Sequence, residues 1–136
     1  MLELMTVLAI VGIMMAFTVP SYLNYTNTQN LTGSAGNIAG QLRLAREKAI
    51  SSGSSQTMHF TLNFMDSDYH IHNNGIVEAK WKLPRNITYY WGFGTVSSYT
   101  FTSDGRCSIS GMVVVQDTRG IRDTVSVQRS GFVMHQ

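Results

Sequence analysis

The chain has a single cysteine, Cys107, in 136 residues. No disulfide can form within it, and a cysteine-rich zinc site is excluded. Charge is scarce as well: Asp, Glu, Lys and Arg together make up 13% of the sequence, against about a quarter in an ordinary globular domain. The net charge of +2 does not by itself imply a nucleic-acid or acidic partner. There is no G-x-S-x-G, P-loop or H-E-x-x-H motif. No Lys or Arg precedes the first apolar run, and Ala16-Phe17-Thr18-Val19 makes a poor cleavage site, so a cleaved secretory signal is not indicated. Much of the chain's polarity is instead carried by Ser, Thr, Asn and Gly, which suits a secreted or surface-exposed β-rich domain. The length allows one domain with one modest core.

The first twenty residues, MLELMTVLAIVGIMMAFTVP, are apolar except for one charge. Leu2 to Val19 would span about 27 Å as a helix, close to the ~30 Å of a bilayer core. A buried core helix is the competing reading, but a domain this small could hardly surround a segment apolar on every face. A membrane-inserted helix is expected. Glu3 is the exception within it. One reading is an interfacial carboxylate placed where the helix dipole favours negative charge. The other, which the rest of the segment favours, is an acid awaiting a cation from another chain once the helix leaves lipid.

The run L-E-L-M-T-V-L-A-I-V-G-I, with a proline eight residues after the glycine, resembles the start of a mature type IV pilin or type II secretion pseudopilin. That family is cut by a prepilin peptidase after a glycine, ahead of an N-methylated Phe, and carries a Glu a few residues into the mature chain. The resemblance puts Glu3 on that glutamate and Pro20 on the family's proline, with Gly12 between them as a further assembly residue. The Phe and the small polar residue that should precede the Glu are missing, which implies that the sequence begins about two residues inside the mature chain. The resemblance further implies that Glu3 neutralises the terminal amine of a neighbouring subunit. It also implies that an assembly ATPase and an inner-membrane platform protein extract the chain from the membrane into a homo-oligomeric or mixed filament.

After Pro20 the composition changes. Leu31, Ala35, Ile38, Leu42, Ala45 and Ala49 recur at helical spacing and predict a stripe packed on the domain that follows, with Gln41, Arg43, Arg46, Glu47 and Lys48 on a solvated face. Gly53 is the expected stop. Pro20 should bend or break the helix. Gly33, Gly36 and Gly40 weaken it and leave room for close packing. Three units follow: a hydrophobic membrane or filament-core helix at 1–20, an amphipathic helix at 21–53 and a β-rich head at 54–136, with 21–136 forming one globular unit.

In the head, Gln56 to Phe64 alternates, placing Met58, Phe60, Leu62 and Phe64 on one face. Tyr69 to His72, Asn73-Asn74-Gly75 and Ile76 to Trp81 read as a hairpin. Ile87 to Tyr90, Ser98 to Thr102, Met112 to Gln116, Thr124 to Val127 and Phe132 to Met134 are further short strands. The layout is α+β, with an antiparallel sheet packed on the amphipathic helix. Three stretches resemble the H-type minor pseudopilins and related minor pilins: Leu42-x-x-Ala45-Arg46-x-x-Ala49-Ile50, the F-T-S-D-G turn ending at Gly105, and T-V-S-V…S-G ending at Gly131.

No enzyme is indicated, and no cofactor or metal is expected. His70 and His72 share one face of a strand and His59 lies on another. Without a placeable third ligand they read as exposed strand residues. Cys107 beside Arg106 could have a lowered pKa, but nothing supports a nucleophile. The aromatic run Tyr89-Tyr90-Trp91-Gly92-Phe93 divides between core and a surface suited to a neighbour. Some relatives bind DNA through a Gly-Arg-x-Arg tail. Here the corresponding tail, Gly131-Phe132-Val133-Met134, has no arginine, and Asp117 and Asp123 flank the basic Arg119-Gly120-Ile121-Arg122. DNA binding needs several uncompensated cations. The expected function is therefore a structural subunit of a type IV pilus-like filament, with a minor pseudopilin of type II secretion as the alternative and a DNA-uptake minor pilin behind both. A membrane-anchored binding module would keep the apolar helix but have no need of Glu3.

Overall fold

The computed structural model describes residues 2–136. Met1, the first residue of the expected 1–20 segment, lies outside the described residues. One helix, α1 (Leu2–Ser52), precedes eight strands: β1 (Gln56–Phe64), β2 (Ser67–Asn73), β3 (Ile76–Trp81), β4 (Ile87–Tyr90), β5 (Ser98–Phe101), β6 (Gly111–Asp117), β7 (Arg122–Val127) and β8 (Val133–His135). All the pairings between these strands are antiparallel. They form two four-stranded sheets, in the orders β3-β2-β1-β5 and β4-β6-β7-β8, where the sequence predicted one. The segment between β4 and β5 makes the join. Gly94 and Val96 exchange backbone hydrogen bonds with Met112, while the Ser97 carbonyl accepts from Phe60 N–H at 2.8 Å.

The helix runs through Pro20 as a single element of 51 residues, about 76 Å long. Pro20 lacks the N–H that would pair with the carbonyl four residues back, yet that loss does not end the helix. Gly53, at φ +65°, supplies the left-handed residue that ends it. From Leu31 onward one face is buried against both sheets. Leu31, Ala35, Ile38, Leu42, Ala45 and Ala49 lie in the core, joined by Ser34 and Ala39. Of the five residues expected on a solvated face, Arg43 and Glu47 are exposed, but three of the five also reach sideways into the head. Arg43 donates to the Val133 carbonyl at 3.1 Å and Arg46 Nε to the Gly105 carbonyl at 2.9 Å, while Lys48 pairs with Glu78 at 3.2 Å.

Alternation in β1 holds only to Phe60. Met58 and Phe60 are buried, whereas Leu62 and Phe64 are exposed. The pairing of β1 with β2 shifts register between Phe60 and Phe64, and Asn63 has φ +59°. Asp68 holds the irregularity in place. One of its carboxylate oxygens accepts from Asn63 N–H at 3.1 Å and the other from Leu83 N–H at 2.9 Å. The β1–β2 turn places both Met65 and Asp66 at positive φ, without the glycine such a turn usually uses. The β2–β3 turn uses Asn74-Gly75, as its sequence predicts.

Candidate functional site

The features a partner could use lie at two places: the uncovered half of the helix and the junction where helix and head meet. From Glu3 to Tyr25, every residue whose burial is described is exposed, Leu4, Leu8, Ile13, Met14 and Val19 among them. This stretch is long and apolar enough to cross a membrane, and none of its most apolar window is buried in the protein. A helix apolar all round belongs in lipid or among other helices. Glu3 stands in its first turn, and no cation pairs with it among the described residues. Gly12 has open space around it, and Pro20 is exposed.

At the junction, the β6–β7 turn braces the helix just beyond the uncovered stretch. Asp117 is buried and accepts from the N–H groups of Arg119 and Ile121 at 2.9 and 3.0 Å and from Arg119 Nε at 2.7 Å. The same guanidinium reaches the helix at the Asn24 carbonyl, at 3.3 Å, and at Thr28 Oγ1, at 3.0 Å. Nearby, Asn86 Nδ2 donates to Asn27 Oδ1 at 2.5 Å. Burial alone would push the Asp117 carboxyl up, but Arg119 and the surrounding N–H groups outweigh it and hold it below the ordinary carboxylate value. A carboxylate lowered on folding stabilises the fold above its unfolded pKa and loses that contribution as pH falls through the folded one. Asp117→Asn should therefore flatten the decline of Tm between pH 4 and pH 2 (the ordinary value being 3.8), checked by thermal melts of the full chain in detergent. An unchanged slope would assign the acid sensitivity elsewhere.

The three sequence pieces that carry the H-type resemblance converge at the lower end of the helix. Arg46 Nε donates to the Gly105 carbonyl, Ile50 packs against Gly105, and Gly131 lies over both Arg46 and that carbonyl. The L-x-x-A-R-x-x-A-I pattern thus has a geometric meaning: the leucine and alanines face the core, and the arginine ties the Gly105 turn to the helix beneath Gly131. Sequence spacing placed Arg46 off the core stripe and gave no sign of this role.

Other sequence expectations change. Cys107 is buried, and burial pushes its thiol up, while Arg106 turns outward to Asp104. In the basic turn Arg119 is held by Asp117, and Arg122 lies 3.5 Å above the Tyr90 ring. No side chain or distant backbone atom among the described residues lies within 4 Å of where a Cβ would stand on Gly33, Gly36 or Gly40, so none of these atoms uses the room the glycines leave. Tyr89 is buried and donates to the Asp68 carbonyl at 3.1 Å, whereas Trp91 and Phe93 project from the surface. The three histidines are not separate exposed residues: His59, His70 and His72 cluster on one face of the first sheet, and His70 is buried.

No family model matches the chain, and no curated protein matches it. Solved structures do. The type IV minor pilin FimU of Pseudomonas aeruginosa, in two crystal forms, is similar to this chain with TM-scores of 0.61 and 0.59 at 16% and 17% identity, covering 82% and 78% of this chain and 92% of FimU in each case. The minor pseudopilin EpsH of the Vibrio cholerae type 2 secretion system gives a TM-score of 0.58 at 15% identity over 79% of this chain and 96% of EpsH. The chain has the fold of these proteins: one long N-terminal helix on a β-sheet head.

Proposed function

We propose that this chain is a structural subunit of a type IV pilus-like filament, held in the inner membrane by its N-terminal helix until assembly. The observation that carries this reading is the apolar stretch from Glu3 to Tyr25, which the chain's own head leaves uncovered although it is continuous with the helix buried from Leu31 onward. Such a surface demands a cover, first lipid and then other copies of the helix. Glu3 supports the second step. A carboxylate buried in a helix bundle is tolerated when a cation meets it, and a neighbour's terminal amine would be that cation. Gly12 and Pro20 are the other residues of this assembly surface, and the stripe from Leu31 to Ala49 seats the head on it. Catalysis has no part in this reading.

Substituting Glu3 with Ala in cells that carry the assembly machinery tests it. Membrane insertion and head folding should be unchanged, while incorporation into filaments, scored by electron microscopy and immunoblotting of sheared fibres, should be lost. Normal incorporation would sink the reading. The likeness to EpsH favours a second one, a minor pseudopilin of a type II secretion system. Deleting the chain would then block export of folded proteins while leaving surface fibres intact.

A further inference from the structure

We propose that His59, His70 and His72 form a binding site for a divalent transition-metal ion of the zinc class. His70 and His72 are two residues apart on β2 and so share a face, and His59 on β1 stands directly opposite His70. The ring centres are 4.6 Å apart for His70 and His72, 5.0 Å for His59 and His72 and 5.5 Å for His59 and His70. A zinc ion ~2.1 Å from each of three imidazole nitrogens in tetrahedral array puts the ring centres about 5 Å apart. The triangle already has the size that coordination needs.

A second observation points to a ligand. His70 is 3% exposed, and its Nδ1 is buried with no hydrogen-bond partner; His72 Nε2 is in the same condition. Both rings line a cavity of about 170 Å³, together with His59, Thr61 and Phe64. Buried polar atoms are ordinarily satisfied, and a metal ion would satisfy both nitrogens at once. Phe64, thrown outward by the β1 register shift, stacks on His70 at 4.5 Å and shields the cluster on one side. Lys80, which pairs with His70 across β3, directs its ammonium to the Met65 carbonyl at 3.2 Å.

As the rings stand, no three His, Cys, Asp or Glu among the described residues converge to hold a metal. Turning an imidazole by 180° exchanges nitrogen for carbon within the same envelope but keeps the ring plane, and the His59 and His70 planes lie only 19° apart. Binding thus requires one of these two rings to tilt as well as flip, and leaves the strand register unchanged. An all-imidazole set favours Zn²⁺, Ni²⁺, Co²⁺ or Cu²⁺ over Mg²⁺ or Ca²⁺, and a water would complete the tetrahedron.

The test is titration of the full chain in detergent micelles with Co²⁺ and then Zn²⁺. The expected result is one equivalent of Co²⁺ bound with visible ligand-field bands of tetrahedral coordination, displaced by Zn²⁺. His59→Ala and His72→Ala should each weaken binding by roughly tenfold or more, whereas His135→Ala, which removes an imidazole paired with Asp123 elsewhere, should leave it unchanged. Those two rings are less buried than His70, so the result does not depend on whether His70→Ala folds. Absence of saturable binding, or binding that survives both His59→Ala and His72→Ala, overturns the proposal.

Discussion

Gly131→Ala is expected to destabilise the chain by about 3–5 kcal/mol. Gly131 has φ +78°, where a Cβ costs ~1–2 kcal/mol before any contact is considered. That Cβ would also stand 2.0 Å from the Gly105 carbonyl oxygen and 2.7 Å from Arg46 Nε. The first atom is backbone and cannot swing away, so the loop must move and the Arg46 hydrogen bond to Gly105 must break. Gly120→Ala separates the two causes. Gly120 has φ +82° but open space around it, so only the same conformational cost of about 1–2 kcal/mol applies. Urea unfolding of both variants, followed by tryptophan fluorescence, measures the difference. Equal losses would mean that the close approach at Gly131 contributes nothing.

The second large effect has the opposite sign. Replacing Gly33, Gly36 and Gly40 together by Ala should stabilise the chain by about 2.5–3 kcal/mol, since each glycine inside a helix costs ~0.8–1 kcal/mol relative to Ala and none has a neighbour within 4 Å. No contact among the described residues offsets these three costs. On the filament reading the triple variant should therefore melt higher and assemble worse. Unfolding measured beside filament yield checks both. Higher stability with undiminished assembly would deny these glycines a part in contact between subunits.

The sequence was read most accurately where periodicity is local. Each of the eight strands begins and ends within two residues of its expected position, and the stripe from Leu31 to Ala49 lies in the core. What it did not reveal depends on partners distant in the chain. That β1 pairs with both β2 and β5, and that β4 joins β6, divides the strands into two sheets, and no local pattern records it. Leu62 and Phe64 continue the apolar alternation of β1, but Asn63 at positive φ, held by Asp68, turns the strand before they reach the core. The same turn lays Phe64 on His70, which is why a histidine expected at the surface is buried. On the helix, Arg46 read as solvated because spacing along one element reports which face a residue occupies and not what a long side chain can reach across to. The apolar run with its one acid needed no tertiary information, since its character is compositional.

One consequence follows from how the loops of the head are fastened. Proteins of this size often secure distant loops with a covalent cross-link. Here the job falls to the Arg46 guanidinium, which ties the 103–105 turn to the helix beneath Gly131, while Cys107 is buried beside it as a free thiol. Glutathione and thioredoxin have nothing to reduce. The packing of the head rests on no intrachain disulfide, so it needs no oxidase to form and no reductant can undo it.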